Sequence, residues 1–195
     1  MTDNNFAIMK LSCNEIIRHT ENLKNIVTKQ ENSICEFSEV ILNSKKNNTH
    51  IFLGGAGRSG FVAKSFAMRL MHLGFDVYVL DESVVGSLEN DDVVILISKS
   101  GRIKYVDEIS QSRNEIDVTL LSVCGSKDSN LYKQSNISIV IDELKNMERS
   151  QDEKNILKEE KFDENDLMVM GTAFEISALI LLDSIIEKLI NEVKE

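Results

Sequence analysis

The 195-residue chain carries 22 Lys and Arg against 32 Asp and Glu, a formal net charge of −10, and no proline. A chain of this length forms one domain, 1–195, with enough buried surface to need no disulfide or metal staple. The acidic balance excludes a general nucleic-acid binder, whose phosphate contacts need a basic field, while leaving room for a local basic site. Cys13, Cys35 and Cys124 are odd in number and form no Cys-x-x-Cys pair, the usage of a reduced, cytoplasmic protein. The first residues include Asp3 and Glu15 and lack the basic start and unbroken apolar block of a secretion signal.

Residues 5–46 place Ile8, Leu11, Ile16, Leu23, Ile26, Ile34, Phe37 and Ile41 at helical spacing. This predicts two helices, or one broken one, in an N-terminal region 1–47. The pattern then changes. HIFLGG, VYVLD, VVILISKS, VTLLSVCG and ISIVID are short apolar blocks rich in β-branched residues, each ending in Gly, Ser or Asp. They predict five buried strands, with helix-like segments after the first, third and fourth. Alternation of this kind makes 48–142 the core of an α/β three-layer sandwich, a five-stranded parallel sheet flanked by helices. Residues 143–165 are dominated by Glu, Asp, Lys and Asn and read as a solvated helix or a mobile connection. The final segment, 166–195, reads as a long helix. Gly171, Thr172, Glu175 and Ser177 interrupt its apolar stretch Leu167 to Leu182, which is too short to cross a membrane comfortably. Its first half is apolar almost all round, so the sheet or another subunit should bury it.

Ligands of open parallel sheets bind beyond the carboxyl ends of the strands, where loops enter helix N-termini. Two such ends are suited to an anion. Gly54-Gly55-Ala56-Gly57-Arg58-Ser59-Gly60 combines glycines that allow close backbone approach with donors on Gly57, Arg58 and Ser59. A glycine-rich tight turn is the alternative, and the spacing does not clearly match a dinucleotide fingerprint. Ser98-Lys99-Ser100-Gly101-Arg102 follows the third strand and offers two hydroxyls and two cations at a helix start, or an ordinary capped helix with solvated cations. Together the two ends point to a phosphorylated small molecule.

Glu175 is the one charged residue between Leu167 and Leu182. Desolvation among apolar side chains would raise its pKa toward that of a general base, unless it pairs structurally with Arg69 or Lys64. His72 ends the helix that begins at Ser59, roughly 20 Å along its axis at 1.5 Å per residue. It therefore either stabilises its own helix end or serves a site completed by another subunit.

The run GAGRSGFVAKSFAMRLMHLGFDVYVLDES, followed by SKSG and GTAFEISALILLDSIIEKLI, resembles the 6-phospho-3-hexuloisomerases of the SIS (sugar isomerase) domain family. The similarity spans roughly Phe52 to Ile190 in the same order. It implies a flavodoxin- or Rossmann-like parallel sheet, a homotetramer, and isomerisation of 3-hexulose 6-phosphate to fructose 6-phosphate in the ribulose monophosphate pathway, with no metal or other cofactor. It further implies substrate and phosphate contacts at Ser59 and from Ser98 to Ile103, Glu175 as proton acceptor, and His72 as a group supplied by a partner subunit. The family loop usually reads Ser-Gly-Ser-Gly-Glu-Thr, where this chain has Ser98-Lys99-Ser100-Gly101-Arg102-Ile103. That difference leaves open a module redirected to another sugar phosphate, or one that binds without turnover.

Overall fold

The computed structural model of the protein describes residues 2–112, 115–142, 150–159 and 172–193, and only the backbone of Thr2 to Asn5, Ser110 and Glu159. The five apolar blocks form β1 (Ile51–Gly55), β2 (Val77–Val79), β3 (Val93–Ser98), β4 (Thr119–Cys124) and β5 (Ile137–Val140). All pair in parallel, in the order β2-β1-β3-β4-β5. Winding therefore reverses between β1 and β3, the switch point at which such sheets open a crevice. Around the sheet lie α1 (Thr2–Glu21), α2 (Leu23–Lys29), α3 (Glu31–Asn47), α4 (Arg58–His72), α5 (Lys104–Ser112), α6 (Asn130–Gln134), α7 (Gln151–Glu159) and α8 (Thr172–Val193).

Period-2 alternation assigns each strand residue to a layer. Ile51, Leu53, Val93, Ile95, Ile97, Leu121, Val123 and Ile139 face a core shared with Phe37 and Ile41 of α3, Phe66 and Leu70 of α4, and Phe174, Leu181 and Ile185 of α8. Phe52, Val94, Leu96, Leu120 and Val140 face the thinner opposite layer, with Tyr105, Val106 and Ile109 of α5 and Leu131 of α6. The C-terminal helix is buried within the chain, where α8 packs on α4, α1 and α3. Some apolar surface is left over: Phe61, Met68 and Met71 of α4 are 74%, 50% and 54% exposed.

The N-terminal region holds three helices where the periodicity suggests two, and the second break has a use. Gln30 leaves helical geometry at φ −121° and ψ 24°. Its side-chain amide donates to the Val140 carbonyl at 2.7 Å and accepts from the Val140 N–H at 2.9 Å. One glutamine thus supplies edge strand β5 with the two bonds a sixth strand would otherwise make.

Within the acidic connection, α7 has more anchors than its composition suggests. Leu157 packs on Leu11 of α1, and Arg18 of α1 pairs with Glu153 at 2.5 Å. Burial acts to raise the Glu153 carboxyl, but the Ser150 N–H and Arg18 outweigh it and hold the pKa below its ordinary value.

Replacing Gln30 with Leu removes both bonds to Val140 and strands its N–H and C=O. The expected loss is about 1–3 kcal/mol, read as a lower urea midpoint with unchanged slope.

Candidate functional site

The ends of β1, β3, β4 and β5 meet at one edge of the sheet, and the loops that leave them enclose an open cleft of about 1140 Å³. Its first wall follows from glycine. β1 passes into α4 with only Ala56 and Gly57 between them, and Gly57 takes φ +57°. A Cβ on Gly55 would lie 2.8 Å from the Ser59 backbone, and one on Gly60 would lie 2.8 Å from the Gly55 carbonyl. The helix start therefore sits directly against the strand end. The first N–H groups of a helix have no acceptor within it, and Ser59, 6% exposed, lines the cleft at this helix start.

The second wall is the Ser98–Ile103 loop. The Gly101 N–H donates to Ser98 Oγ at 3.1 Å, and the Arg102 N–H to Ser100 Oγ at 3.3 Å, so both hydroxyls also serve as turn acceptors. Gly101 holds φ +63° with Ser129 packed where a Cβ would stand. Ser98, Lys99, Ser100, Arg102 and Ile103 line the cleft. Gly57 and Gly101 shape its loops.

The sequence reading missed the third and fourth walls. Gly125, Ser126, Lys127 and Asp128 follow β4, and Asp142 follows β5. The Gly125 N–H donates to the Lys99 carbonyl at 3.1 Å, and a Cβ on Gly125 would lie 2.6 Å from that oxygen. This locks the loops after β3 and β4 together. The signal is present in the sequence, since VTLLSVCG is followed by Ser126 and Lys127, the same Gly, Ser and cation chemistry as the loops after β1 and β3.

Glu175 enters from the first turn of α8, its side chain 12% exposed. Neither cation considered from sequence is its partner: Lys64 pairs with Glu82 at 2.7 Å, and Arg69 with Asp183 at 3.6 Å. Arg58 takes that place, its Nε lying 3.3 Å from Glu175 Oε2 while its Nη1 donates to Thr172 Oγ1 at 3.1 Å. The Nε contact is an ion pair without hydrogen-bond alignment, and Oε2 is buried with no hydrogen-bond partner. Burial pushes the Glu175 carboxyl above its ordinary value, against the opposing pull of Arg58, Lys99 and the Ser59 hydroxyl.

His72 is exposed at the far end of α4, so within one chain it does not share the cleft with Glu175. Two neighbouring groups have structural duties. Asp81, just beyond β2 where dinucleotide-binding sheets hold a ribose, accepts from the Tyr105 hydroxyl, whose pKa burial pushes up to about 12. Cys124 is buried with its thiol pKa raised by desolvation, its Sγ donating to the Ser126 carbonyl at 3.6 Å. Among the described residues no His, Cys, Asp or Glu cluster could hold a metal ion, and no helix is long and apolar enough to cross a membrane.

The family model for the SIS domain matches residues 41–149, which include the strand ends and loops just described. The chain belongs to the SIS domain family. It is 33% identical over 172 residues to the 3-hexulose-6-phosphate isomerase of Methanocaldococcus jannaschii, covering 86% of this chain and 81% of that protein. With the Bacillus subtilis protein of the same name it shares 29% identity, over 90% and 91% of the two chains. A crystal structure from Methanococcus jannaschii, whose authors inferred a 3-hexulose-6-phosphate isomerase, superposes with a TM-score of 0.67 at 28% identity, covering 95% and 90%. The five-stranded parallel sheet flanked by helices is the architecture these SIS-domain structures share.

A raised carboxyl pKa means that the folded state binds the proton more tightly than the unfolded chain does. Wild-type stability therefore falls as pH rises from the ordinary carboxylate value of 4.5 through the folded value. Glu175→Gln lacks this dependence. Its melting temperature relative to wild type should rise across that window and level off above it, as followed by calorimetry from pH 4 to pH 8.

Proposed function

We propose that the protein is a sugar-phosphate isomerase that converts 3-hexulose 6-phosphate to fructose 6-phosphate, with Glu175 as the base. The observation that carries this reading is a single carboxylate of raised pKa set between two anion-suited strand ends. The names of the relatives, at 29–33% identity, support the particular sugar.

The reaction moves a carbonyl from C3 to C2. Glu175 takes the C2 proton to give a cis-enediol and returns a proton at C3, while the hydroxyl on C2 loses its proton and the oxygen on C3 gains one. One carboxylate can serve both carbons if the sugar is held against it, because the transfer is suprafacial on a planar intermediate. The phosphate belongs at the start of α4 and the Ser98–Ile103 loop. There Ser59, Ser98 and Ser100 offer hydroxyls, and Lys99 and Arg102 offer charge. Anchored at that distance, it holds the sugar in place without taking part in the chemistry.

His72 serves the oxygen protons only if a second copy brings it to the cleft. The exposed Phe61, Met68 and Met71 lie on the same helix and offer an apolar face for such an assembly. The alternative, a module that binds a sugar phosphate without turnover, is favoured by one feature. Ile103 lines the cleft and has no side-chain donor to offer.

Turnover is expected in a coupled assay of fructose 6-phosphate formation from 3-hexulose 6-phosphate generated in situ, with no added cofactor. Glu175→Gln should cost about 10²- to 10⁴-fold in kcat while keeping the fold. Ligand-induced stabilisation without product in the wild type would select the binding module. Mixing inactive Glu175→Gln with inactive His72→Ala and reassembling them should restore measurable turnover; no recovery would remove His72 from a shared site.

A further inference from the structure

Arg58 belongs by sequence to the anion-binding loop, yet its guanidinium lies over the base. Three observations bear on this. Glu175 Oε2 has no accessible surface and no hydrogen bond, although a catalytic carboxylate oxygen must reach a C–H proton. Arg58 Nε is 3.3 Å away, too poorly aligned to satisfy that oxygen. The Arg58 side chain is itself 51% exposed, and among the described residues its hydrogen bond is to Thr172 Oγ1. Half of the Arg58 side chain is in solvent, so it is free to turn toward a second anion that compensates its charge.

We propose that Arg58 is a positioning residue that acts as a latch on Glu175: its guanidinium covers Oε2 in this arrangement and is drawn to the phosphate of the incoming substrate, uncovering the base. The exchange replaces a poorly aligned contact with a charge-assisted one, for which a guanidinium offers a bidentate fork. It also removes the cation that most favours the charged carboxylate, so Glu175 becomes more basic when substrate arrives. The charged and polar groups that line the cleft around Glu175 are Ser59 beside Arg58 on α4, Ser98, Lys99, Ser100 and Arg102 after β3, Ser126, Lys127 and Asp128 after β4, and Asp142 after β5. Lys99 also favours the charged carboxylate, but less than Arg58, which alone of the two is in ion-pair contact with Glu175 among the described residues, so the latch is assigned to Arg58.

The proposal rests on Glu175 being the base of the site described above, but its test needs no turnover. Protein labelled with ¹³C at the Glu side-chain carboxyl is titrated by NMR, and the Glu175 signal is assigned by its loss in Glu175→Gln. Without added anion, Arg58→Gln should move the Glu175 midpoint up by on the order of one pH unit, and Arg58→Lys by less. Saturating inorganic phosphate should raise the midpoint more in wild type than in Arg58→Gln, where only direct repulsion between phosphate and carboxylate remains. An unchanged midpoint in Arg58→Gln, or an equal response to phosphate in both proteins, overturns the latch whether or not the protein isomerises a sugar. Where turnover is present, the acid limb of kcat/KM should lie below that of kcat in wild type, and the gap should narrow in Arg58→Gln, where only direct repulsion remains. Coincident limbs in wild type would count against release on binding.

Discussion

The contact between Gly55 and Gly60 is the constraint on which the site depends. No side chain fits between the end of β1 and the first turn of α4, so strand and helix meet almost without a loop. That proximity puts Ser59 inside the cleft and Arg58 at its rim, and it lays the length of α4 against α8. Because α8 begins at Thr172 and bears Glu175 in its first turn, the packing of α4 on α8 also fixes where the carboxylate stands. One glycine pair thus positions the candidate anion site and the candidate base together, although 115 residues separate Gly60 from Glu175 in the chain.

Local composition explains why so much of the fold was legible. The strands are short apolar runs, and the central β1, β3 and β4 are buried on both faces; such runs leave few alternatives once helical segments lie between them. Gly57 and Gly101 were legible for the same reason, since positive φ at a strand-to-helix turn nearly requires glycine. What escaped was non-local. Nothing near Gln30 in sequence indicates that its amide closes the edge of β5, 110 residues away. The Arg58 to Glu175 pair was hidden likewise: Arg69 and Lys64 looked as suitable by charge, and only the crossing of α4 on α8 decides among the three. The loop after β4 was underrated because its role appears only when Gly125 is seen against Lys99.

The cleft also shows how one residue type can serve two ends. Ser98 and Ser100 accept bonds from backbone N–H groups that hold their own loop in shape, while each hydroxyl keeps a proton that can be turned toward an anion. Lys99 similarly fastens its loop through its carbonyl while its side chain contributes positive charge at Glu175. A site assembled this way is rigid before a ligand arrives, so little ordering entropy is left for binding to supply.

The placement of α1 bears on how the chain folds during synthesis. Its partners are α8 and α7, so the apolar side chains of α1 wait for more than a hundred residues to be made before they are covered. Sheet strands β1 to β5 can meanwhile pair with α3, α4, α5 and α6, giving a sheet whose cleft edge still lacks Glu175. Docking of α8 then completes the core and the cleft in one late, long-range step, the kind of closure that sets the pace of folding in domains rich in non-local contacts. Until that step the nascent protein has both candidate anion loops but not Glu175, so on the proposed function a phosphate site would form before the site for chemistry does.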